Sequence, residues 1–337
     1  MIFDDVLEIK NGRNQKNVEN PNGKYPIYGS GGIMGYADDY ICEADTVIIG
    51  RKGSINNPIY VEEPFWNVDT AFGLSAKREI LMPRYLYYFC QYFDFERLNK
   101  AVTIPSLTKS DLLKIELELP TIETQKKIVD RLIKVEQIIQ LKKRKLQKLD
   151  TLVKSRFAEM FGDPIMNPKG WKVVTIGDIV TEVRYGTSKP AVEGGKYPYL
   201  RMNNLTADGH LDLNDLKYID ISDDEVEKCV VRKGDVLFNR TNSIDLVGKT
   251  AVFDLPEDMV IAGYIIRVRL NEKILPEVLS QYMNLEALKD ILRSMAKGAV
   301  NQANINAQEL QSIRVYVPDI ELQKQFVEMK DQVDKSK

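Results

Sequence analysis

The sequence predicts a mixed α/β (α+β) fold that is built twice, with a long helix after each copy. Short runs of apolar and β-branched residues alternate with short helical patterns and are bounded by Gly, Asn and Pro turn signals. A stretch without Pro or Gly, from Ile122 to Phe161, separates two halves in which the same motifs occur in one order. At 337 residues, of which 44% are apolar, the chain is long enough for two domains with separate cores.

The first half has the pattern of one compact domain. Thr46 to Ile49 is continuously apolar or β-branched, which is typical of a buried strand. In order, we expect a helix or strand entry over Phe3–Lys10, a polar loop over Arg13–Lys24, strands over Lys24–Tyr28, Tyr40–Lys52, Ile59–Val61 and Val68–Ser75, helices over Pro83–Phe95 and Ser106–Lys114, and a strand over Ile115–Leu119.

The second half repeats this order with insertions. The matched segments are Asp4–Gly12 with Asp178–Gly186, Lys24–Pro26 with Lys196–Pro198, Asp45–Arg51 with Gly234–Arg240, Pro83–Phe89 with Pro276–Tyr282, and Leu107–Lys126 with Ile305–Lys324. Because these matches keep one order along the whole chain, they indicate a tandem duplication of one unit.

The stretch between the halves predicts one long basic helix, which at about 1.5 Å per residue would run roughly 50 to 60 Å. From Thr124 to Phe157 it carries 11 Lys or Arg residues and only three acids. This charge fits either a solvated face or a positive rod that a polyanion or an acidic partner could follow. Apolar residues recur at steps of three and four, which predicts a helix-packing seam made by Ile128, Leu132, Val135, Ile139, Leu146, Leu149 and Val153.

The composition excludes some classes of site. Cys42, Cys90 and Cys229 are widely separated, which fits a reduced cytosol and argues against a disulfide framework or a Cys-rich zinc site. His210 is the one histidine, so Ser-His-Asp catalysis and multi-histidine metal sites are not expected. No apolar run is long enough for a membrane span and no signal-peptide pattern occurs at the N-terminus, so we expect a cytoplasmic protein.

Two similar modules held apart by a long helix suggest a protein that reads two similar features at a fixed separation. DNA half-sites are a candidate, because the distance between them is fixed by the DNA helix. The motifs also resemble a known family. The residues that carry the resemblance are Tyr25–Gly35 in the first half and, in the second, Gln302–Asn306, Leu310, Ile313, Pro318 and Glu321–Gln323. This pattern resembles the specificity subunit (HsdS) of type I restriction–modification systems over essentially the whole chain.

The resemblance implies a domain plan and a set of partners. Residues 1–120 and 162–318 would be target-recognition domains that read the two parts of an asymmetric DNA target, and residues 121–161 and 319–337 would be helices packed as an antiparallel coiled coil. The subunit would be non-catalytic and bind no cofactor directly. Methyltransferase subunits would dock on it and supply S-adenosylmethionine and adenine methylation, while restriction subunits would supply ATP- and Mg-dependent cleavage.

The sequence departs from this pattern at its second helix. Ile320–Lys337 is much shorter than the first helix and would reach back only to about Ile139. Ile128, Leu132 and Val135 would then lack cover. We therefore expect a partner chain, or a second copy of this chain, on the uncovered seam.

Polar and basic side chains in the loops after the strands are the candidates for contact with DNA, because Arg, Lys, Asn, Gln, Ser and Thr supply most contacts to bases and phosphates. In the first half they are Arg13, Asn14, Gln15, Lys16, Tyr28, Ser30, Gly31, Arg51, Lys52 and Ser54. In the second half they are Lys189, Arg201, Asn203, Asn204, Arg240, Thr241, Asn242, Ser243, Lys297, Asn301 and Gln302.

Two other functions remain open from the sequence. A self-contained methyltransferase would need an Asn-Pro-Pro-Tyr type motif to grip a flipped adenine, and Asn57–Tyr60 lacks its second proline. Gly248–Thr250 resembles the end of a phosphate-binding loop without the required earlier glycine, so we interpret both as turns. Asp223–Glu225 is interpreted as a solvated helix start rather than a Mg²⁺ site. The second alternative is a scaffold whose basic helix binds an acidic protein.

Overall fold

A computed structural model describes residues 1–100, 103–299 and 302–337. The chain divides into two compact units, residues 1–142 and 143–337. The helix Ile122–Phe161 begins in the first unit and ends in the second, and its bounds are those that the sequence predicts. No helix among the described residues is both long and apolar enough to cross a membrane.

The first unit combines short strands with short helices. Its strands are β1 (Leu7–Asn11), β2 (Tyr25–Gly29), β3 (Gly32–Ala37), β4 (Thr46–Gly50), β5 (Ile59–Val61), β6 (Trp66–Asn67) and β7 (Ala71–Ala76). Its helices are α1 (Phe3–Val6), α2 (Pro83–Tyr92), α3 (Lys109–Leu112) and the first part of α4 (Ile122–Phe161), with a 3₁₀ turn at Phe95–Leu98.

The second unit contains more elements because of its insertions. Its strands are β8 (Lys172–Thr175), β9 (Val180–Tyr185), β10 (Tyr197–Leu200), β11 (Lys217–Ile219), β12 (Val230–Val231), β13 (Val236–Asn239), β14 (Thr241–Asn242), β15 (Thr250–Val252), β16 (Met259–Ile261), β17 (Ile265–Leu270), β18 (Lys297–Ala299), β19 (Gln302–Asn304) and β20 (Arg314–Val317). Its helices are α5 (Asp223–Cys229), α6 (Pro276–Met283), α7 (Glu286–Met295), α8 (Ala307–Ser312) and α9 (Ile320–Asp334), with 3₁₀ turns at Ile176–Ile179 and Met202–Asn204.

The sheets confirm the duplication. In the first unit β1, β7, β4 and β5 are neighbours in that order, and in the second β9, β17, β13 and β15 follow the same order, all antiparallel. A second sheet places β3, β2 and β6 side by side in the first unit and β11, β10 and β16 in the second. In both sheets the second of these pairs is parallel, with Ile27 opposite Trp66 and Tyr199 opposite Val260.

In each unit a buried glutamine makes the same three hydrogen bonds at the start of a helix. The side-chain amide of Gln125 donates to the carbonyls of Ile80 and Pro120 at 2.8 and 2.9 Å, and its oxygen accepts from the N–H of Met82 at 2.8 Å. Gln323 makes the three corresponding bonds in the second unit, to Lys273, Pro318 and Leu275, at 3.0, 2.8 and 2.8 Å. Each glutamine thus attaches the start of a helix, α4 or α9, to its own unit.

The last part of α4 packs into the second unit. Val153, Phe157 and Phe161 are buried in the main core of that unit. The rings of Phe157 and Phe161 meet the ring of Phe326 of α9 edge to face, at 5.3 and 5.5 Å between centroids. Such aromatic pairs add roughly 0.5–1.5 kcal/mol each beyond the burial of their area.

Within the second unit α9 runs antiparallel to α4, because its end contacts an earlier part of α4 than Phe326 does. Lys337 pairs with Asp150 at 2.8 Å, and the amine of Lys145 donates to the carbonyl of Ser336 at 2.8 Å. These contacts correct the prediction that the second helix reaches Ile139. Helix α9 ends at Asp334, and its last contacts with α4 are made beyond that point, at Ser336 and Lys337.

The predicted seam is covered at its ends only. Ile128 and Leu132 are half-buried, whereas Val135, Ile139 and Leu146 are exposed. Val135 therefore lacks cover within this chain, as expected, and Ile139 and Leu146 lack it as well, whereas Ile128 and Leu132 are partly covered against the expectation. Leu149 is half-buried and Val153 is buried, as expected. The seam pattern missed Val129, which is buried.

Two predicted strands differ from the structure. Ile115–Leu119 alternates in burial and pairs with the N-terminal residues Met1–Phe3, but through a single bridge between Ile2 and Glu116, which is too short to form a strand. The matching segment of the second unit does form strand β20, because β8 pairs with it. The predicted strand Tyr40–Lys52 is shorter and is confined to β4.

Candidate nucleic-acid interface

Three loops of the first unit meet at one connector, residues 67–70, which leads from β6 to β7. After β1, the N–H of Arg13 donates to the carbonyl of Asn67 at 2.9 Å. After β2, the carbonyl of Tyr28 accepts from the N–H of Val68 at 3.0 Å. After β4, the N–H of Arg51 donates to the carbonyl of Thr70 at 2.7 Å. We call Arg13–Lys16, Tyr28–Gly32 and Arg51–Ser54, with this connector, the first loop cluster.

The second unit builds the same arrangement at the matching positions. Thr187 donates to Ile261 at 2.9 Å, Ala262 donates to Leu200 at 2.9 Å, and the N–H of Arg240 donates to Tyr264 at 3.0 Å. We call 187–189, 201–205 and 240–243, with the connector 261–264, the second loop cluster. The structure therefore brings together the predicted residues of the first half and, in the second half, those that lie in these three loops, one cluster per unit.

A glycine makes each cluster possible. A Cβ atom at Gly12 would overlap the carbonyl oxygen of Val68, and one at Gly186 would overlap that of Ile261. Only glycine lets the two backbones approach this closely. By contrast, a Cβ atom at Gly31 of the first cluster would meet no atom within 4 Å.

The first loop cluster presents cations to solvent. Arg13, Lys16, Arg51 and Lys52 are all exposed. The guanidinium of Arg51 lies 5.8 Å from the ring of Phe72, and one of its nitrogens lies 3.5 Å from the carbonyl of Asp69. These are weak restraints, so this side chain can reorient toward a base or a phosphate.

The uncharged candidates of the first cluster differ in how exposed their side chains are and in what those side chains contact. Asn14 uses its side-chain oxygen to accept the N–H of Lys16 at 3.0 Å, which shapes the loop. Tyr28 packs against Phe65 at 5.5 Å, and burial is the main reason why the pKa of its phenol is raised. Gln15 and Ser30 are half-buried, while Gly31 and Ser54 are exposed.

The second loop cluster holds its arginines more firmly. The guanidinium of Arg240 lies 5.0 Å from the ring of Tyr185 and donates to the carbonyl of Gly263 at 3.3 Å. Arg201 donates to the carboxylate of Asp215 at 2.6 Å. Hydrogen bonds from Lys217 and Arg201 lower the pKa of this carboxyl.

Lys189 lies at the edge of the second cluster in an ion pair. Its amine lies 2.5 Å from Glu225, and this hydrogen bond is the main reason why the pKa of Glu225 is lowered. Lys189 is exposed, and such surface pairs contribute no more than about 1 kcal/mol. A phosphate could therefore replace the glutamate as its partner.

Two predicted DNA contacts of the second half lie inside the protein. Asn204 is 2% exposed, its oxygen accepts the N–H of Arg201 at 2.8 Å, and its amide donates to Asp212 at 2.8 Å. Thr241 is 6% exposed and donates to the side chain of Asn304 at 3.2 Å. Both side chains build the loops rather than face outward, which corrects their interpretation as surface readers.

The remaining candidates of the second half are more accessible. Asn203, Ser243 and Gln302 are exposed. Asn242 is half-buried and donates to the side chain of Asn239 at 2.9 Å. Asn301 and the side chain of Lys297 lie outside the described residues.

The sequence reasoning missed two aromatic residues at the second cluster. Tyr185 and Tyr264 are exposed beside Arg240. Tyr185 ends the strand that precedes Gly186, where the first half has Asn11 before Gly12. The alignment of the two halves could have revealed Tyr185, because it places this tyrosine opposite Asn11, directly before the matched glycines Gly186 and Gly12.

Of the two motifs interpreted as turns, Gly248–Thr250 leaves a turn and enters strand β15, whereas Asn57–Tyr60 leads into strand β5 and is not a turn. The amine of Lys249, in Gly248–Thr250, is buried against backbone carbonyls and is not free for a phosphate. Tyr60 donates to Asp45 at 2.8 Å from strand β5. His210 lies in the turn after Thr206. Within residues 1–100, 103–299 and 302–337, no group of three or more His, Cys, Asp or Glu residues could hold a metal ion.

The middle of α4 carries an exposed apolar strip, which consists of Val135, Ile138, Ile139 and Leu141. A basic run, Lys142–Lys145, follows it on the same helix and is exposed throughout. Exposed apolar side chains that follow one another along a helix are typical of a surface that a partner covers.

Comparison with known proteins agrees with the duplicated framework. The profile of a family described as "Type I restriction modification DNA specificity domain" matches residues 3–151 and 168–337. The chain belongs to this family. The matched ranges fall on the two halves and include most of α4 and all of α9.

Curated specificity subunits are similar at lower identity. That of the type I restriction enzyme EcoKI from Escherichia coli K12 is 25% identical over 305 residues, 84% of this chain and 66% of the relative. That of EcoBI from Escherichia coli is 24% identical, over 92% of this chain and 70% of the relative. The putative MjaX subunit of Methanocaldococcus jannaschii is 30% identical over 50% of this chain and 40% of the relative. The chain thus spans less than two thirds of the EcoKI and MjaX subunits.

Two solved structures share the fold. The S subunit of the type I system from M. genitalium has a TM-score of 0.60 at 17% identity, over 100% of this chain and 89% of that one. A chain from a structure on complex assembly and conformational transition of the type I R–M system has a TM-score of 0.55 at 19% identity, over 100% and 90%. At these identities the likeness concerns the fold.

Proposed function

We propose that this chain is the DNA sequence-specificity subunit of a type I restriction–modification complex and reads a split, asymmetric DNA target. The observation that carries the proposal is the loop cluster that is built twice on one backbone plan, with different side chains in each copy. A duplicated reader joined by one helix fits a target with two parts at a fixed spacing.

Each cluster offers the groups that DNA recognition needs. Arg51 of the first cluster is free to make the bidentate contact with guanine that arginine favours, while Lys16 and Lys52 would bind phosphates. In the second cluster Asn203 and Ser243 would reach bases, and Lys189 would exchange Glu225 for a phosphate.

The two equivalent arginines have different surroundings, so we expect them to recognise different DNA sequences. Arg51 lies beside the Asp69–Thr70 backbone, whereas Arg240 stacks on Tyr185 with Tyr264 adjacent. Aromatic faces favour contact with apolar groups such as the methyl group of thymine and restrict how a guanidinium can turn. The two parts of the target would therefore differ in sequence.

The subunit would carry no catalytic chemistry of its own. The exposed apolar strip of α4 and its basic run would receive a methyltransferase subunit with an acidic, amphipathic surface. That subunit would supply S-adenosylmethionine binding and adenine methylation, and restriction subunits would supply the steps that use ATP and Mg²⁺. The competing occupant of the strip is a second copy of this chain.

Methylation mapping tests the proposal. We would co-express the chain with its methyltransferase subunit and map methylated adenines by long-read sequencing. A split, asymmetric motif with a fixed gap is the expected result. A symmetric motif would mean that two copies of the chain read one half-site through one cluster. Complex formation without methylation would contradict the proposal.

The strongest competing function is a scaffold that binds an acidic protein through α4, and the exposed strip is the observation that favours it. Binding of a DNA duplex to the complex at several salt concentrations separates the two functions. Phosphate contacts make affinity fall steeply with salt. A complex that forms without any salt-dependent DNA binding would favour the scaffold.

A further inference from the structure

We infer that Lys249 is a positioning residue for DNA specificity, which fixes two recognition loops of the second loop cluster against each other. This inference rests on the proposed function and deepens it. Lys249 is absent from the set of residues that the sequence predicts to contact DNA, and its side chain is only 7% exposed.

The amine of Lys249 binds the first of these loops, residues 202–205, through two backbone carbonyls. It donates to the carbonyl of Met202 at 2.8 Å and to the carbonyl of Leu205. These two carbonyls lie on either side of the exposed Asn203 and the buried Asn204. The bonds therefore hold both ends of the turn whose outer residue is a candidate reader.

The backbone of the same residue binds the second loop. The carbonyl of Lys249 accepts the N–H of Asn239 at 2.8 Å, and the carbonyl of Asn239 accepts the N–H of Gly248 at 2.8 Å. Asn239 directly precedes Arg240. One residue thus sets the distance between the Asn203 turn and the Arg240 loop, which must contact the same stretch of DNA.

A second buried lysine supports the first. The amine of Lys289 donates to the carbonyl of Gly248 at 2.7 Å and to the side-chain oxygen of Asn284 at 2.9 Å. Asn284 in turn donates to the carbonyl of Thr250 at 2.6 Å. The residues on both sides of Lys249 are therefore held by hydrogen bonds of their own.

The arrangement is costly for stability, which points to a role in specificity. The two acceptors of Lys249 are neutral carbonyls, and burial lowers the pKa of its amine. Burying a charge costs free energy unless the charge is paired and hydrogen-bonded, and the hydrogen bonds of this amine go to uncharged groups. A lysine held here at such a cost fits a requirement for loop geometry.

The test compares Lys249→Met with the wild-type chain in the methyltransferase complex. The expected result is a lower thermal midpoint, because the carbonyls of Met202 and Leu205 lose their donor, together with at least a tenfold loss of base preference in one half of the methylated motif. The other half, identified as the one that Arg51→Ala disturbs, would keep its preference. Arg267→Met is the matched control, because this buried cation of the same unit donates to the carbonyl of Val230 and to Glu182 rather than to either loop, and it would retain both halves.

Two further variants keep the test decisive. Lys249→Arg can donate to both carbonyls and would restore much of the lost preference, and Lys249→Gln serves if the methionine variant does not fold. Hydrogen exchange at 202–205 would increase in Lys249→Met. The inference is overturned if a folded variant retains the wild-type preference, if both halves weaken equally, or if no neutral variant folds. A wild-type chain without a split motif would defeat the proposed function itself.

Discussion

Arg51 and Arg240 occupy the same place in the two units, yet their side chains are held differently. Each backbone N–H donates to its connector, at Thr70 and Tyr264 respectively. The side chain of Arg51 is exposed with weak contacts, whereas that of Arg240 is half-buried on Tyr185. The duplication has therefore retained the backbone of the reader and changed the chemistry that it presents.

The close backbone approach at Gly12 and Gly186 is the feature that this comparison depends on most. Gly12→Ala and Gly186→Ala would each force a Cβ atom into a carbonyl oxygen and cost about 3 kcal/mol or more in the free energy of unfolding. Gly31→Ala is the matched control and would change it by less than about 0.5 kcal/mol. Urea unfolding of the three variants measures this. If all three variants changed the free energy of unfolding by equally small amounts, the close backbone approach at Gly12 and Gly186 would not be essential to the two units.

The paired glutamines sharpen the comparison, because their contacts are the same in both units. Gln125→Ala and Gln323→Ala would each leave a buried N–H and two carbonyls without their partner, at a cost of roughly 2–3 kcal/mol. The two costs should agree in thermal or urea unfolding. A large cost at one position and none at the other would show that the units are closed differently.

The buried lysines mark a difference between the units, since among the described residues both lie in the second. Burial lowers the pKa of Lys289 to about 8, from 10.5. Between these values the unfolded chain retains a proton that the folded chain has lost, so a rise in pH stabilises the folded state. From pH 7 to 9.5 the wild type should gain on the order of 1–2 kcal/mol relative to Lys289→Met. A difference in unfolding free energy that does not change with pH would contradict this.

Local patterns were sufficient to predict the long helix and the repeat. The absence of Pro and Gly from Ile122 to Phe161 determines the helix bounds, and the matched motifs predict equivalent sheets. The strand expected at Ile115–Leu119 is absent because its partner, Met1–Phe3, pairs with it through one bridge only, and local alternation does not reveal how far a pairing extends.

The orientation of side chains in the loops could not be predicted from the sequence. Asn204 and Thr241 have the composition of surface readers, but they turn inward to satisfy buried backbone and side-chain groups. Lys249 was interpreted as part of a turn, and the carbonyls that it binds lie more than 40 residues away in the chain. Such pairings depend on how an insertion folds back, which periodicity does not encode.

The central claim is that the two loop clusters read two different half-sites. The most direct measurement is to map adenine methylation by the complex with the wild-type chain, with Arg51→Ala and with Arg240→Ala. Each variant should lose base preference in one half of the motif, the two halves should differ, and the effect should correspond to about 1–3 kcal/mol of discrimination. Loss in the same half for both variants, or equal loss in both halves, would contradict the account.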